Sequence, residues 1–256
     1  MAFIPLALLA FLAGFVDAVA GGGGLIQLPA LFAVLPGAPP ATLFGTNKLA
    51  SIWGTLAAST QYVRRVVLPW RVLRPALVAA LVGAFAGARV VSLLPQSLVR
   101  YGVLVLLALV AVYTFRRHEL GTAHAPRLAP HAEVPAAVAT GAVLGFYDGV
   151  FGPGTGAFLV FVFVRVFGYD FLHASAASKL VNLATNFAAL AWFLPTGHVV
   201  WSYAALMAAC NIAGALAGSG LAIRHGSAFV RKFFLVVVVV LIVKLAWDAV
   251  RAGAVP

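Results

Sequence analysis

Charge is scarce in this sequence. Only 9% of the residues are charged and just 6 are acidic, whereas 63% are hydrophobic. A soluble domain carries about 25% charged residues. A water-soluble fold of 256 residues could not hide this much apolar surface in one core. A bilayer removes the need to hide it, and runs such as 103–115 and 233–243 have the length and purity of spanning helices. Cysteine is nearly absent: Cys210 stands alone, which excludes an intrachain disulfide. The 6 histidines are scattered, mostly in loops, and no Cys/His cluster suggests a metal site, so no metal and no cofactor are expected.

The net charge of +11 does not point to nucleic acid. The basic residues sit in short clusters between apolar runs: Arg64, Arg65, Arg71 and Arg74; Arg116, Arg117 and Arg127; Arg224, Arg231 and Lys232. Cytoplasmic loops look like this under the positive-inside rule. Residues 2–16 followed by Ala18-Val19-Ala20 resemble a signal peptide. Two observations argue against that reading: no positive charge precedes the run, and its motif recurs in mid-chain.

Shifted by 131 residues, the sequence matches itself without a gap. Gly14-Phe15-Val16-Asp17 falls on Gly145-Phe146-Tyr147-Asp148, Lys48-Leu49 on Lys179-Leu180, and Trp70 on Trp201. Gly83 and Gly87 fall on Gly214 and Gly218, spacings that read as helix packing motifs. The expected architecture is an all-α polytopic membrane protein with about eight segments in two homologous repeats. Residues 1–116 form the first repeat, 117–134 a polar linker, and 135–256 the second repeat. The segments fall near 3–36, 41–63, 72–94 and 98–116, then 136–167, 172–194, 201–223 and 229–250.

The first segment of each repeat should break. As one helix, 3–36 would be about 51 Å long against a hydrocarbon core of ~30 Å. It is interrupted by Gly21-Gly22-Gly23-Gly24, and its twin by Gly152-Pro153-Gly154-Thr155-Gly156. Each half of 3–36 reads as too short to span alone, which favours a re-entrant hairpin over a surface loop. If both first segments are re-entrant, the repeats are inverted and all three basic clusters lie on one side. Eight plain spans in parallel repeats are the alternative. Trp53, Trp70, Trp192, Trp201 and Trp247 read as interfacial anchors.

Of four lysines, Lys48 and Lys179 occupy equivalent places about seven residues inside apolar helices. A lysine at depth costs ~2.5–3.5 kcal/mol on the insertion scale and is functional by default. Snorkelling or a structural pair with a carboxylate is the bland alternative, a serious one because Asp17 and Asp148 also recur. Thr46 and Asn47 precede Lys48, with Ser51 and Thr55 following. Ser178 precedes Lys179, with Asn182, Thr185 and Asn186 following. Offsets of three and four put Lys48/Ser51/Thr55 on one helix face and Lys179/Asn182/Asn186 on another. Together they suit an oxyanion. Backbone N–H groups at Gly22, Gly23, Gly24, Gly154 and Thr155, each beside a helix N-terminus, fit the same ligand. Asp17 and Asp148 read as counter-ions, helix caps or proton carriers, with structural roles ranked ahead.

The block Gly14–Asp17 with Ala20–Gly24, Pro29 and Gly45-Thr46-Asn47-Lys48 resembles the sulfite exporter TauE/SafE family. So does Gly145–Gly156 with Ala177-Ser178-Lys179. The resemblance covers nearly the whole chain and implies transport of sulfite, an organosulfonate or a related sulfur oxyanion. It further implies a proton or other ion gradient as the driving force and a bacterial inner membrane as the location. The partners expected are therefore a small anion, lipid and a coupling ion. An anion channel of the same fold is the competing reading. An intramembrane enzyme would need a nucleophile–base or metal constellation at depth, and none stands out.

Overall fold

The computed structural model describes residues 3–93, 125 and 127–253, with only the backbone path given for 238 and 240–253. All regular structure among these residues is helical. The expected segment 98–116 and the linker as far as 124 lie outside the described residues.

The glycine runs divide both long first segments, as expected. In the first half α1 spans Phe3–Ala20 and α2 spans Gly24–Val34. Two full helices follow, α3 at Pro40–Arg65 and α4 at Trp70–Val91. In the second half α5 spans Pro130–Val150 and α6 spans Thr155–Arg165. Then come α7 at Phe171–Phe193 and α8 at Trp201–Gly253, which is interrupted at Gly226 (φ 69°, ψ −166°). α5 begins five residues inside the expected linker, because Pro130 supplies a helix-compatible φ at the first position.

The arms of the broken segments are unequal, which corrects the expectation that neither half could cross alone. α1 has 18 residues and rises about 27 Å. With α4 and residues 201–237 of α8, it is long and apolar enough to cross a membrane. The return arms α2 and α6 have 11 residues each and rise about 16 Å, half the hydrocarbon thickness. α2 folds back along α1. A Cβ on Gly23 would stand 2.6 Å from the Ala13 carbonyl oxygen, and Leu6 and Ala10 share a core with Leu28 and Leu31.

Small residues set the main helix contacts. Gly83 and Gly87 of α4 lie against the backbone of Ala142 and Phe146 of α5, so closely that a Cβ at either glycine would overlap a carbonyl oxygen. Gly214 and Gly218 of α8 meet Phe11 and Phe15 of α1 in the same way. Subtracting 131 from 142 and 146 gives 11 and 15, so the two contacts use corresponding positions. Without a hydrophobic drive between helices in lipid, such close backbone approach supplies the packing energy.

The helix ends sort into two groups. At one end, Arg71 of α4 donates to the Pro130 carbonyl (3.2 Å), Arg127 to that of Arg165 (3.3 Å), and Ser227 to Asp170 (2.6 Å). Arg64, Arg65 and Arg224 gather at this end around one cavity. At the opposite end, Phe3 stacks on Tyr203, Thr46 accepts from the Val200 amide (2.9 Å), and Trp192 donates to Ser92 (2.9 Å). Hence α3 runs toward the basic end and α7 away from it, while α1 starts at the far end and α5 at the basic end. Trp70 and Trp201 sit exposed at helix starts, as anchors should. Trp53 is half exposed at the middle of α3 and does not fit the anchor reading, whereas Trp192 lies in the last turn of α7; the Trp247 side chain lies outside those described.

Candidate functional site

The two glycine breaks meet. A Cβ on Gly21 would stand 2.2 Å from the Gly156 carbonyl carbon, and one on Gly24 3.5 Å from the Pro153 Cα. Gly21 (φ 78°) and Gly22 (φ 97°) take left-handed conformations in the first break, Gly152 (φ 79°) and Gly154 (φ 82°) in the second. A side chain at Gly21 would be both strained and blocked, so the contact between the tips depends on glycine. The tips are not copies: Gly23, ahead of α2, is right-handed, whereas Gly154, ahead of α6, is left-handed.

The lysines reach across this junction. Lys48 pairs with Asp148 of the second half, and both are almost fully buried. Lys179 donates to Asp17 of the first half at 2.8 Å. Asp17 also accepts the Gly23 amide at 3.1 Å, tying the first break to the second half's lysine. Each aspartate therefore serves as counter-ion to the other half's lysine. Two charges of each sign cancel, which lowers the desolvation cost that an isolated lysine would carry.

A cavity of about 30 Å³ lies between the tips, with room for about one water molecule. Most expected site residues border it: Asn47, Lys48 and Ser51 from α3; Asn182 and Asn186 from α7; Gly22, Gly23 and Gly24, with Gly154 and Thr155, from the breaks; and Asp17 and Asp148. Lys48 lies against the second break, where a Cβ at Gly152 would stand 3.6 Å from its Cε.

Three expected residues are not part of the lining. Thr46 donates to the Thr42 carbonyl and accepts from Val200, holding the end of α3 to the loop before α8. Ser178 donates to the Gly156 carbonyl (3.1 Å) and so fixes the second tip. Lys179 is completely buried behind Asp17, which does line the cavity.

Two lining residues escaped the sequence reading, Gln27 of α2 and Asn211 of α8. Each is unique to its half, with Phe158 and Ala80 at the corresponding positions, so the repeat gave no signal. A lone amide within an apolar run was the available clue. Gln27 is fully buried. Its Oε1 accepts from Ser51 (2.8 Å), while its Nε2 has no partner among the described residues. Asn47 Oδ1 is likewise buried and unpaired. Buried polar atoms are almost always paired, so two orphans bordering one cavity mark a place for a polar ligand. Among the described residues no group of His, Cys, Asp and Glu could hold a metal ion.

The sulfite exporter TauE/SafE profile matches residues 6–245. The chain is 34% identical to a probable membrane transporter protein, ORF9, of a Sinorhizobium species, over 93% of this chain and 90% of that one. It is 33% identical to the probable membrane transporter YfcA of Escherichia coli K12, over 94% and 88%. A probable membrane transporter of Haemophilus influenzae is 31% identical over 93% and 92%. No solved structure matches the chain. With its apolar spanning helices, the chain belongs to the sulfite exporter TauE/SafE family and is an integral inner-membrane protein, a transporter whose partners are a small-molecule substrate and the lipid bilayer.

Proposed function

We propose that the protein is a secondary transporter of a small sulfur oxyanion, such as sulfite or an organosulfonate, bound between the two glycine tips. One observation carries the reading: Lys48, the buried and unpaired amide nitrogen of Gln27, and both glycine breaks border a single cavity. Amide and ammonium donors converging with two helix N-termini suit an oxyanion. The cavity holds about one water, so the tips must part to admit the anion.

The site carries no net charge from its two lysines and two aspartates, so an anion competes with Asp148 for the Lys48 ammonium. Binding therefore requires the Lys48–Asp148 pair to part, and a coupling cation that offsets the Asp148 carboxylate would bind and travel with the anion.

The same reading treats the halves as inverted repeats with re-entrant first segments, and α1–α2 and α5–α6 as hairpins entering from opposite faces. Supporting it are the opposite directions of α3 and α7, the matching glycine contacts 131 residues apart, and the short return arms. Non-helical backbone at such depth is tolerated because protein and cavity surround it. Half-helices meeting at mid-depth are a recurrent transporter device.

Thermal stabilisation of purified protein across sulfite, sulfate, thiosulfate and small sulfonates tests the ligand class. Counterflow in vesicles separates carrier from channel. Absence of stabilisation by every sulfur oxyanion, with wild-type folding intact, would reject the substrate class.

A further inference from the structure

Three arginines converge on one cavity at the basic end. Arg64 and Arg65 of α3, with Arg224 of α8, border a space of about 580 Å³ that Gln61, Gly220 and Ile223 complete. Ligand pockets run from about 300 to 1,000 Å³. Among the described residues no carboxylate answers these charges. Asp17 and Asp148 pair with the lysines, Glu133 with Arg71 and Asp170 with His173.

The other half fills its matching place with its own side chain. Shifted by 131 residues, Gln61 becomes Trp192, and Gly220 and Ile223 become Arg89 and Ser92. The Trp192 indole donates to Ser92 at 2.9 Å, and the Arg89 guanidinium lies 5.2 Å from its ring centroid. At the basic end Gln61 stands in place of the tryptophan, and the space stays open.

The approach to this cavity is apolar. Ala213, Ala217, Gly220 and Arg224 follow one another at offsets of four, three and four, so they share one face of α8. Ala213 and Ala217 are exposed, as are Leu216 beside them and Leu56 and Val63 of α3. Ala213 lies two residues past Asn211, which borders the central cavity. From Ala213 to Arg224 the helix rises about 16 Å. Half of a ~30 Å hydrocarbon core is about 15 Å. The strip therefore spans one leaflet, and its arginine end falls at headgroup level. The positive-inside rule makes that leaflet the cytoplasmic one.

We propose that the arginine cavity binds the phosphodiester headgroup of an anionic phospholipid of the cytoplasmic leaflet, with an acyl chain along the Ala213–Ala217 face. Guanidinium groups hold phosphate oxygens in bidentate fashion. Basic pockets between membrane helices on the cytoplasmic side suit such headgroups. A free phosphate would use the arginines but gain nothing from the apolar strip. α3 belongs to the first half and α8 to the second, so the lipid clamps the halves together at this end. The site is separate from the central cavity and independent of which anion is carried there.

Lipid-dependent melts decide the matter. Protein purified in neutral detergent is heated with phosphatidylglycerol, with phosphatidylcholine of the same acyl chains, and with inorganic phosphate. Phosphatidylglycerol should raise the melting temperature by several degrees, and the other two should not. The triple variant Arg64→Gln/Arg65→Gln/Arg224→Gln should lose that shift. Arg74→Gln, at the same end but outside the cavity, should keep it. Gln61→Trp, which builds the plug of the other half and leaves every charge in place, should lose it too. Native mass spectrometry should find phosphatidylglycerol retained on the wild type and on Arg74→Gln, and about tenfold less or lower on the triple variant. Should the triple variant fail to fold, Arg224→Gln alone carries the same comparison with Arg74→Gln. Equal shifts from both lipids, or a shift that the arginine variants keep, would overturn the site. The full shift from inorganic phosphate alone would leave an anion site and overturn the lipid.

Discussion

Lys179 of the second half donates to Asp17 of the first at 2.8 Å, and Lys48 of the first half pairs with Asp148 of the second. The charges that recur with the repeat are thus exchanged between halves. Loss of either lysine would leave the opposite half with an uncompensated carboxylate, fully buried at Asp148 and largely buried at Asp17. Lys179→Ala should therefore destabilise the protein by about 3–5 kcal/mol, the usual cost of breaking a buried pair from one side. Lys179→Ala/Asp17→Ala should recover most of that loss, because no charge is stranded. Thermal melts of the two single variants and the double variant check this through their coupling energy. Strictly additive losses would mean that the pair contributes nothing as a pair.

Asp148→Asn should keep anion binding and strengthen it, because the Lys48 ammonium no longer has a carboxylate competing with the anion. Sulfite-induced stabilisation of the variant and the wild type at one pH gives the comparison. Weaker or unchanged stabilisation in the variant would show that Asp148 does not compete with the anion.

Gln27→Leu should separate stability from binding. It removes a buried, unpaired amide nitrogen but also the Oε1 that accepts from Ser51, and the two effects offset, so stability should change by no more than about 1 kcal/mol. Oxyanion affinity should fall about tenfold, roughly the worth of one hydrogen bond. A melt and a ligand titration on the same preparation test both halves of this claim. Lower stability with unchanged affinity would give Gln27 a packing role only.

Gly21→Ala should cost about 2–5 kcal/mol, combining a left-handed backbone at about 1–2 kcal/mol with overpacking at about 1–3 kcal/mol. Its methyl group would overlap the backbone of Gly156. Gly37→Ala has open space and serves as control, with an expected change within about 0.5 kcal/mol. Equal melting temperatures for the two variants would show that the tips do not press on one another.

Asp170, in the connection before α7, couples stability to pH. Burial pushes its carboxyl up, but hydrogen bonds from the His173 ring, Ser227 and the His173 amide outweigh burial and hold it well below the usual carboxylate range. A depressed native value means that the carboxylate contributes stability above its unfolded pKa, about 3.9, and loses it as pH falls further. Asp170→Ala also removes the cap of α7 and should cost about 1–2 kcal/mol at pH 7. That gap should narrow below about pH 4. A gap constant from pH 7 to pH 3 would contradict the linkage.

Chain chemistry alone determined the solvent of this protein, the positions of the described helices, the glycine breaks, and the recurrence of Asp17, Lys48, Asp148 and Lys179. Each is a local property. Apolar runs must meet lipid, four successive glycines cannot sustain a helix, and a lysine inside an apolar run is visible wherever its partner lies. The tertiary structure decided everything that depends on which half touches which. Lys179 faces Asp17 rather than its own half's Asp148, because α1 packs on α8 and α4 on α5 through glycine surfaces that exchange elements between the halves. Thr46 and Ser178 looked like ligands as polar neighbours of the lysines, yet Thr46 bonds its own helix and Val200, and Ser178 bonds the Gly156 carbonyl. Gln27 and Asn211 looked like isolated polar residues and became part of the cavity, because only packing brings α2 and α8 to the glycine tips. A sequence records which groups need a partner, whereas the long-range contacts of the fold determine which partner each one meets.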